Sequence, residues 1–423
     1  MARADATASI DEALSSRAPA PPAPEGPPAR PLRVAMLTAL FPPSVGGIQS
    51  HTLRLGQKLV ERGVEVHVVT RCGPGLPVFE RMVGVRVHRV GVSAATGAAG
   101  SLAFMAEALR AVVRLRRHFD VLHAHQLLSP STVGLAAAAL TGLPLIVNPH
   151  ACGDIGDVRV LSATRLGRLR LAAVMRGADA FVAVSGAIRD ELLAAGAPPQ
   201  AVWSIVNGVD TDRFAPVTPR ERLVLRRSLR LGEEPLVVYT GRLAREKGVD
   251  VLVAAWPLLL ARVPGARLCL LGDGPEEARL REQASALGVE ASVAFLGGVP
   301  DVAPRLRAAD AAVLPSRTEG MPVALIEAMS CGLPVVATAV GGSAEVLRDG
   351  TTGRLVPPDS PAALAEALAE ALLEPAASAR GRAARADVLA RFAMDLVADR
   401  FLALYRTLAC RGAAALGGGD RAR

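Results

Sequence analysis

Short apolar runs broken by glycine, proline and polar residues recur along this chain, and they fall into two series. In the first, Arg33 to Thr38 reads as a strand, Phe41 to Gly47 as a loop, and the stretch to about Arg62 as an amphipathic helix leading to a second strand, Val64 to Thr70. That order predicts a parallel sheet, because parallel neighbours need a crossover between them. Further strands are expected at Val85 to Val90, Asp120 to His125, Leu145 to Asn148 and Ala180 to Ser185. A segment rich in Arg, Pro and turn formers, Asn207 to Pro235, separates the two series. The second restarts with Leu236 to Thr240, Arg267 to Leu271, Ser292 to Leu296, Ala311 to Leu314 and Pro334 to Ala337.

The expected class is α/β: two Rossmann-like, doubly wound parallel-sheet domains facing a central cleft, with ligands at the carboxyl ends of the strands. The expected layout is a disordered tail over 1–30, a first Rossmann-like domain over 31–215, a second Rossmann-like domain over 216–390, a helix over 391–411 crossing back to the first domain, and a flexible tail over 412–423. At 423 residues with 51% apolar and 21% charged content, the chain exceeds what one core comfortably fills. The uncharged stretch 127–147 invites comparison with a membrane span. Pro130, Gly134, Gly142 and Pro144 divide it, predicting a buried helix over Thr132 to Leu140 and a strand from Leu145.

The net charge of +8 comes almost wholly from arginine, since Lys58 and Lys247 are the only lysines. Such basicity attracts phosphate or anionic surfaces. Arg110, Arg114 and Arg117 share one expected helix face, and Arg165, Arg168, Arg170 and Arg176 enrich another, so peripheral contact with an anionic membrane is expected beside the plainer reading of solvated faces. Aromatics at 3% are too few to interleave with basic residues as nucleic-acid binding needs. The five cysteines lie far apart, which fits a reducing cytoplasm and no metal knuckle. The first thirty residues lack the basic start and apolar stretch of a secretion signal.

The densest chemical signal is Leu314-Pro-Ser-Arg-Thr-Glu-Gly-Met-Pro-Val-Ala-Leu-Ile-Glu. A strand ends at Pro315 and a helix begins near Pro322, leaving the amides of Gly320, Met321 and Val323 to meet a diphosphate. Glu319 in the turn and Glu327 in the helix are expected to accept hydrogen bonds from sugar and ribose hydroxyls. A helix cap and a solvated glutamate are the plainer alternative. In Tyr239-Thr-Gly-Arg-Leu-Ala-Arg-Glu-Lys-Gly, a glycine-relieved turn presents Arg242 as a fork and Lys247 as a point charge. A lysine retained in an arginine-rich chain points to a pocket that needs a compact ammonium. An exposed loop cation is the alternative.

The loop Phe41-Pro-Pro-Ser-Val-Gly-Gly-Ile-Gln places Gly46 and Gly47 before a helix start, where backbone can approach a ligand. His123, His125 and His150 are expected at strand ends. His150 is expected to donate a hydrogen bond at the donor sugar or reacting centre, and His123 and His125 to be satisfied loop residues.

With these motifs in order, the chain resembles glycosyltransferase family 4, retaining enzymes of GT-B fold. The resemblance spans residues 33 to 410 and rests on FPPSVGGIQSHTLRLGQKLVERGVEVHVVT, DVLHAH, VNGVDTDRF, YTGRLAREKGVDVLV, LLGDGPE and LPSRTEGMPVALIEAMSCGLPVVAT. It implies that Arg242 and Lys247 neutralise the donor diphosphate, Glu319 orients the donor sugar, Glu327 binds the ribose and the Gly47 amide meets the phosphate. It further implies a nucleotide-diphosphate sugar as co-substrate, front-face substitution without an enzymatic nucleophile, and no cofactor or metal. The acceptor is a glycan, a lipid-linked molecule or a small molecule. One departure is His150-Ala151-Cys152-Gly153-Asp154 in place of the family's His-Gly. A nucleotide-sugar epimerase and a non-catalytic nucleotide-sugar-binding protein of the same architecture are the competing readings.

Overall fold

The computed structural model describes residues 30–44, 46–91, 97–153 and 156–417. These divide into two units, one holding 30–207 with 394–417 and the other 208–393. Residues 1–29 of the tail expected over 1–30, and positions 418–423, lie outside the described residues. Arg30, assigned to that tail, pairs instead with Asp120 at 2.8 Å.

The first unit is built on an eight-stranded sheet in the order β3-β4-β2-β1-β5-β6-β7-β8. The strands are β1 (Arg33–Leu37), β2 (Glu65–Arg71), β3 (Phe79–Met82), β4 (Val85–Val90), β5 (Val121–His125), β6 (Leu145–Asn148), β7 (Ala180–Ala183) and β8 (Val202–Ser204). Val34 lies opposite Val66 on one side and Val121 on the other. Val34, Ala35 and Met36 are fully buried, as strands covered on both faces require. β3 departs from the all-parallel expectation: it pairs antiparallel with β4 at the sheet edge. The short connection through Val83 and Gly84, both at positive φ, permits only a hairpin there.

Residues 127–147 fold as the helix Ser129–Thr141, ended by Gly142 at φ 72°, and then β6. No described helix is long and apolar enough to cross a membrane. The C-terminal helix, Met394–Gly417, runs past the expected end at 411 and into the segment expected to be a flexible tail. Arg62 holds it through Asp395 (3.1 Å) and Asp399 (2.6 Å), and Tyr405 is fully buried.

In the second unit a six-stranded sheet runs β11-β10-β9-β12-β13-β14. Its strands are β9 (Leu236–Thr240), β10 (Arg267–Leu271), β11 (Val293–Phe295), β12 (Ala311–Leu314), β13 (Val335–Thr338) and β14 (Arg354–Val356), every pair parallel. After β9 the chain winds outward through β10 and β11, then returns to the other side of β9 as β12. The reversal leaves a crevice at the carboxyl ends of β9 and β12, the place where such sheets bind ligands.

The boundary between the units falls before Gly208 rather than at 216. The Val209 amide donates to the Phe392 carbonyl (2.8 Å) and Ser330 Oγ to the Phe214 carbonyl (2.7 Å), so this stretch is bonded into the second unit. At the other end residues 391–393, expected to begin the returning helix, belong with the second unit, and the helix starts at Met394.

Candidate functional site

The two loops at the reversal are those that carry the basic and acidic candidates. After β9, Gly241 turns the chain, and the buried Tyr239 hydroxyl donates to the Arg242 carbonyl at 2.9 Å. A one-turn helix, Arg245–Lys247, ends at Gly248, whose φ is 63°. A Cβ at Gly248 would stand 2.1 Å from the Pro315 carbonyl oxygen, so only glycine lets this loop close on the end of β12.

That closure brings Lys247 and Glu319 together. Lys247 Nζ donates to Glu319 Oε1 at 2.7 Å, and Ser316 Oγ donates to the same oxygen at 2.6 Å. Glu319 is 6% exposed, so its charge is balanced by the ammonium rather than by water. The Arg317 guanidinium binds both Asp250 carboxylate oxygens at 2.9 Å, and its amide donates to the Glu246 carbonyl at 2.8 Å. This bidentate pair ties the β9 loop, the helix Val249–Arg262 and the β12 loop into one support.

A third segment closes over the acid. Gly341 and Gly342 lie so near that a Cβ on either would stand 2.1 Å from the carbonyl oxygen of Glu319 or Gly320 respectively, and the Gly342 amide donates to Glu319 O at 3.1 Å. Thr338 Oγ1 donates to the Ser316 carbonyl. The sequence reading missed Ser316, Arg317, Gly341 and Gly342. The adjacent glycines after β13 were the available signal, because a backbone approach that tolerates no Cβ selects them.

Arg242 is solvent-exposed and rests on Glu246 at 3.2 Å. Glu327 lies on the helix Val323–Ser330, half-buried. Burial pushes its carboxyl up to about 7, opposed by Arg213 and reinforced by Asp301, which are themselves paired at 2.7 Å. The helix starts at Val323 and Pro322 caps it, one residue later than expected. The Val323 amide, expected to face a ligand, donates to the Met321 carbonyl at 3.0 Å because the chain doubles back at Pro322. Among the described residues the Gly320 and Met321 amides donate to no protein acceptor.

In the first unit, Gly46 precedes the helix Gly47–Glu61 without a side-chain cap, and nothing lies within 4 Å of where a Gly47 Cβ would be. Val45 lies outside the described residues. The histidines differ from expectation. His123 and His125 are not loop residues but fully buried members of β5, two apart and therefore on one face. His123 Nδ1 meets the Tyr405 hydroxyl at 2.8 Å, and His125 Nδ1 meets His150 Nε2 at 3.2 Å. His51 joins them, its ring edge-on to His150 at 5.8 Å. Burial lowers His123 to about 3 and holds His125 and His150 well below the usual imidazole range. Thus His150, expected to serve a sugar, is half-buried with its Nε2 engaged by a neighbouring histidine. Among the described residues no three His, Cys, Asp or Glu gather as metal ligands.

Comparison with known proteins matches this geometry to a family. Residues 222–387 fit the model for glycosyl transferases group 1, and residues 45–213 that for Glycosyltransferase Family 4. A GDP-mannose-dependent alpha-(1-6)-phosphatidylinositol monomannoside mannosyltransferase of Mycobacterium tuberculosis is 34% identical over 397 residues, spanning 88% of this chain and 98% of that protein. The chain belongs to glycosyltransferase family 4. A D-inositol 3-phosphate glycosyltransferase of Actinosynnema mirum is 34% identical over 81% of this chain and 89% of its own length. Among solved structures, a sucrose-phosphate synthase from Thermosynechococcus elongatus superimposes with a TM-score of 0.77 at 26% identity, covering 89% of this chain and 99% of that one. An Anabaena protein solved with UDP and glucose gives 0.71 at 23% identity, covering 89% and 100%. The fold is GT-B, and this family 4 member is a glycosyltransferase that uses a nucleotide sugar, in preference to the epimerase and non-catalytic readings.

Proposed function

We propose that this glycosyltransferase moves a hexose from a nucleoside-diphosphate donor to an acceptor hydroxyl with retention of anomeric configuration, using the Lys247–Glu319 pair as the centre of its donor site. The observation that carries this reading is the 2.7 Å contact of those two side chains at the strand-order reversal. Lys247 and the exposed Arg242 receive the diphosphate, with the Gly320 and Met321 amides before the helix dipole as further donors. Glu319, released in part from the ammonium when phosphate arrives, accepts hydrogen bonds from the sugar hydroxyls. Glu327 accepts from the ribose. Pro322 sets the direction of the helix start, and Val323 contributes to its dipole rather than a free amide.

In the first unit Gly46 and Gly47 offer an uncapped helix start to an anion. His150, enclosed against His125, positions the acceptor-side loop rather than touching the sugar. In the transfer step the bond from the anomeric carbon to the phosphate oxygen breaks, and the acceptor oxygen bonds to the same face of that carbon. The acceptor proton passes to the departing phosphate. Positive charge at Lys247 and Arg242 lowers the barrier by stabilising the leaving group, and the protein supplies no nucleophile.

A lipid-linked acceptor is supported by the phosphatidylinositol monomannoside for which the mycobacterial relative is named, and a cytoplasmic membrane face by the wide spacing of the five cysteines along this chain. Purified chain would be offered guanosine-, uridine- and adenosine-diphosphate hexoses with inositol-bearing acceptors, and product anomers read by NMR. A retained product lost in Glu319→Ala is expected. An inverted product, or unchanged transfer by Glu319→Ala, overturns the reading.

A further inference from the structure

The helix Arg165–Gly177 has apolar side chains on both of its faces. Leu171, Val174 and Met175 are buried, on a helix that packs against the helices Asp157–Ser162 and Ser129–Thr141, whereas Leu166 and Leu169 are 69% and 68% exposed. Val160, on the preceding helix Asp157–Ser162, is 51% exposed. At 100° per residue Leu169 falls beside Arg165 and Arg176, both exposed, and the helix contains no acidic residue.

This orientation is built in. Thr164 caps the helix through the Gly167 amide at 3.0 Å, and a Cβ at Gly167 would stand 2.0 Å from the Leu161 carbonyl oxygen. The hairpin of helices therefore cannot roll to hide its leucines without breaking that contact. The other arginine stripe is weaker in the same respect, because Arg110 is paired with Glu107.

We propose that the outward face of helix Arg165–Gly177 docks this unit on an anionic bilayer, with Leu166 and Leu169 entering the acyl boundary and Arg165 and Arg176 meeting lipid phosphates. The inference rests on the proposed lipid-linked acceptor and names the surface that would meet it. A bilayer fits better than a protein partner because the two leucines stand more than two-thirds exposed, and cationic side chains lie around them without counter-charges on the helix. The hairpin also follows directly on the loop after β6 that carries His150, so the docked face and the acceptor-side loop are continuous along the chain.

The test is flotation of the full chain with phosphatidylcholine–phosphatidylglycerol vesicles and with phosphatidylcholine alone at physiological salt. The wild-type chain is expected to rise with the anionic vesicles only. Leu166→Ser/Leu169→Ser should partition at least roughly tenfold less, since two leucines no longer enter the acyl boundary. Arg165→Gln/Arg176→Gln should lose the preference for anionic lipid. Both variants should transfer to a water-soluble acceptor at the wild-type rate.

Wild-type protein left at the bottom, or a leucine variant that floats as well as wild type, overturns the proposal. So does light scattering that finds a wild-type dimer made monomeric by the leucine substitutions, because a second copy then covers the face. The two readings fail separately. A chain that floats without using a lipid-linked acceptor leaves the surface standing, and one that uses such an acceptor without floating leaves only the acceptor assignment.

Discussion

Lys247 Nζ lies 2.7 Å from Glu319 Oε1, an ion pair closed across 72 residues of sequence by a glycine that permits no side chain. The pair is unequal, with Glu319 at 7% side-chain exposure and Lys247 at 22%. Losing the lysine therefore leaves a buried charge, whereas losing the glutamate leaves a cation that water can reach.

Lys247→Ala should lower kcat/KM for the donor about tenfold, the effect of one lost charge-assisted contact. It should also destabilise the second unit by about 1–3 kcal/mol, because the buried Glu319 loses the ammonium that balances its charge and keeps the neutral hydroxyl of Ser316. Glu319→Ala should abolish transfer yet shift the melting temperature less than Lys247→Ala does. Steady-state kinetics with scanning calorimetry separates these outcomes, and equal melting losses would contradict the asymmetry.

Gly342→Ala tests whether the third segment holds the acid in place. The new methyl would meet the Gly320 carbonyl oxygen at 2.1 Å, a backbone atom that cannot swing aside as a side chain does. Displacing that loop should reduce kcat at least tenfold while costing about 1–3 kcal/mol of stability. Wild-type kcat in a folded Gly342→Ala protein would show that the loop does not position Glu319.

The strands flanking this site were legible because each is a short, mainly apolar run ended by Gly or Pro, as in Leu236–Thr240 before Gly241 and Ala311–Leu314 before Pro315. β3, β8 and β14 escaped notice for the opposite reason. They are three- and four-residue strands, and Phe79–Met82 alternates between exposed and half-buried positions. Within the site, Lys247 and Glu319 stood out because their loops follow strands. Arg317 did not, since its meaning lies in a bidentate contact with Asp250, 67 residues away, and arginine is common in this chain. His123 and His125 were placed at a strand end, although their spacing of two already puts them on one face.

Glu327 should give the second unit a pH dependence. Its ordinary value near 4.5 is raised to about 7 by burial. The folded state therefore holds a proton that the unfolded state releases, and stability is full below 4.5 and falls as pH rises to about 7, by about 1–3 kcal/mol. Glu327→Gln should remove the slope. Because ribose hydroxyls favour the ionised carboxylate, donor affinity should rise between about pH 6 and 8 in wild type and stay flat in the variant. Parallel profiles in the two proteins would detach Glu327 from both effects.

The histidine cluster sets the opposite slope in the first unit. His123 is lowered to about 3, and His125 and His150 also lie well below 6.5, because burial disfavours the imidazolium. Each takes up a proton on unfolding in acid that it does not carry when folded. Stability is thus present above 6.5 and is lost as pH falls, by about 1.4 kcal/mol per pH unit for each ring. The first unit should consequently unfold in mild acid while Glu327 protonation favours the second, so calorimetry near about pH 5 should separate two transitions that overlap at neutral pH. Replacing His123 by Gln retains a polar partner for the Tyr405 hydroxyl and removes one titrating ring, which should reduce the acid slope of the first unit by about one proton. If that variant keeps the wild-type slope, the buried imidazoles are not what makes this unit acid-labile.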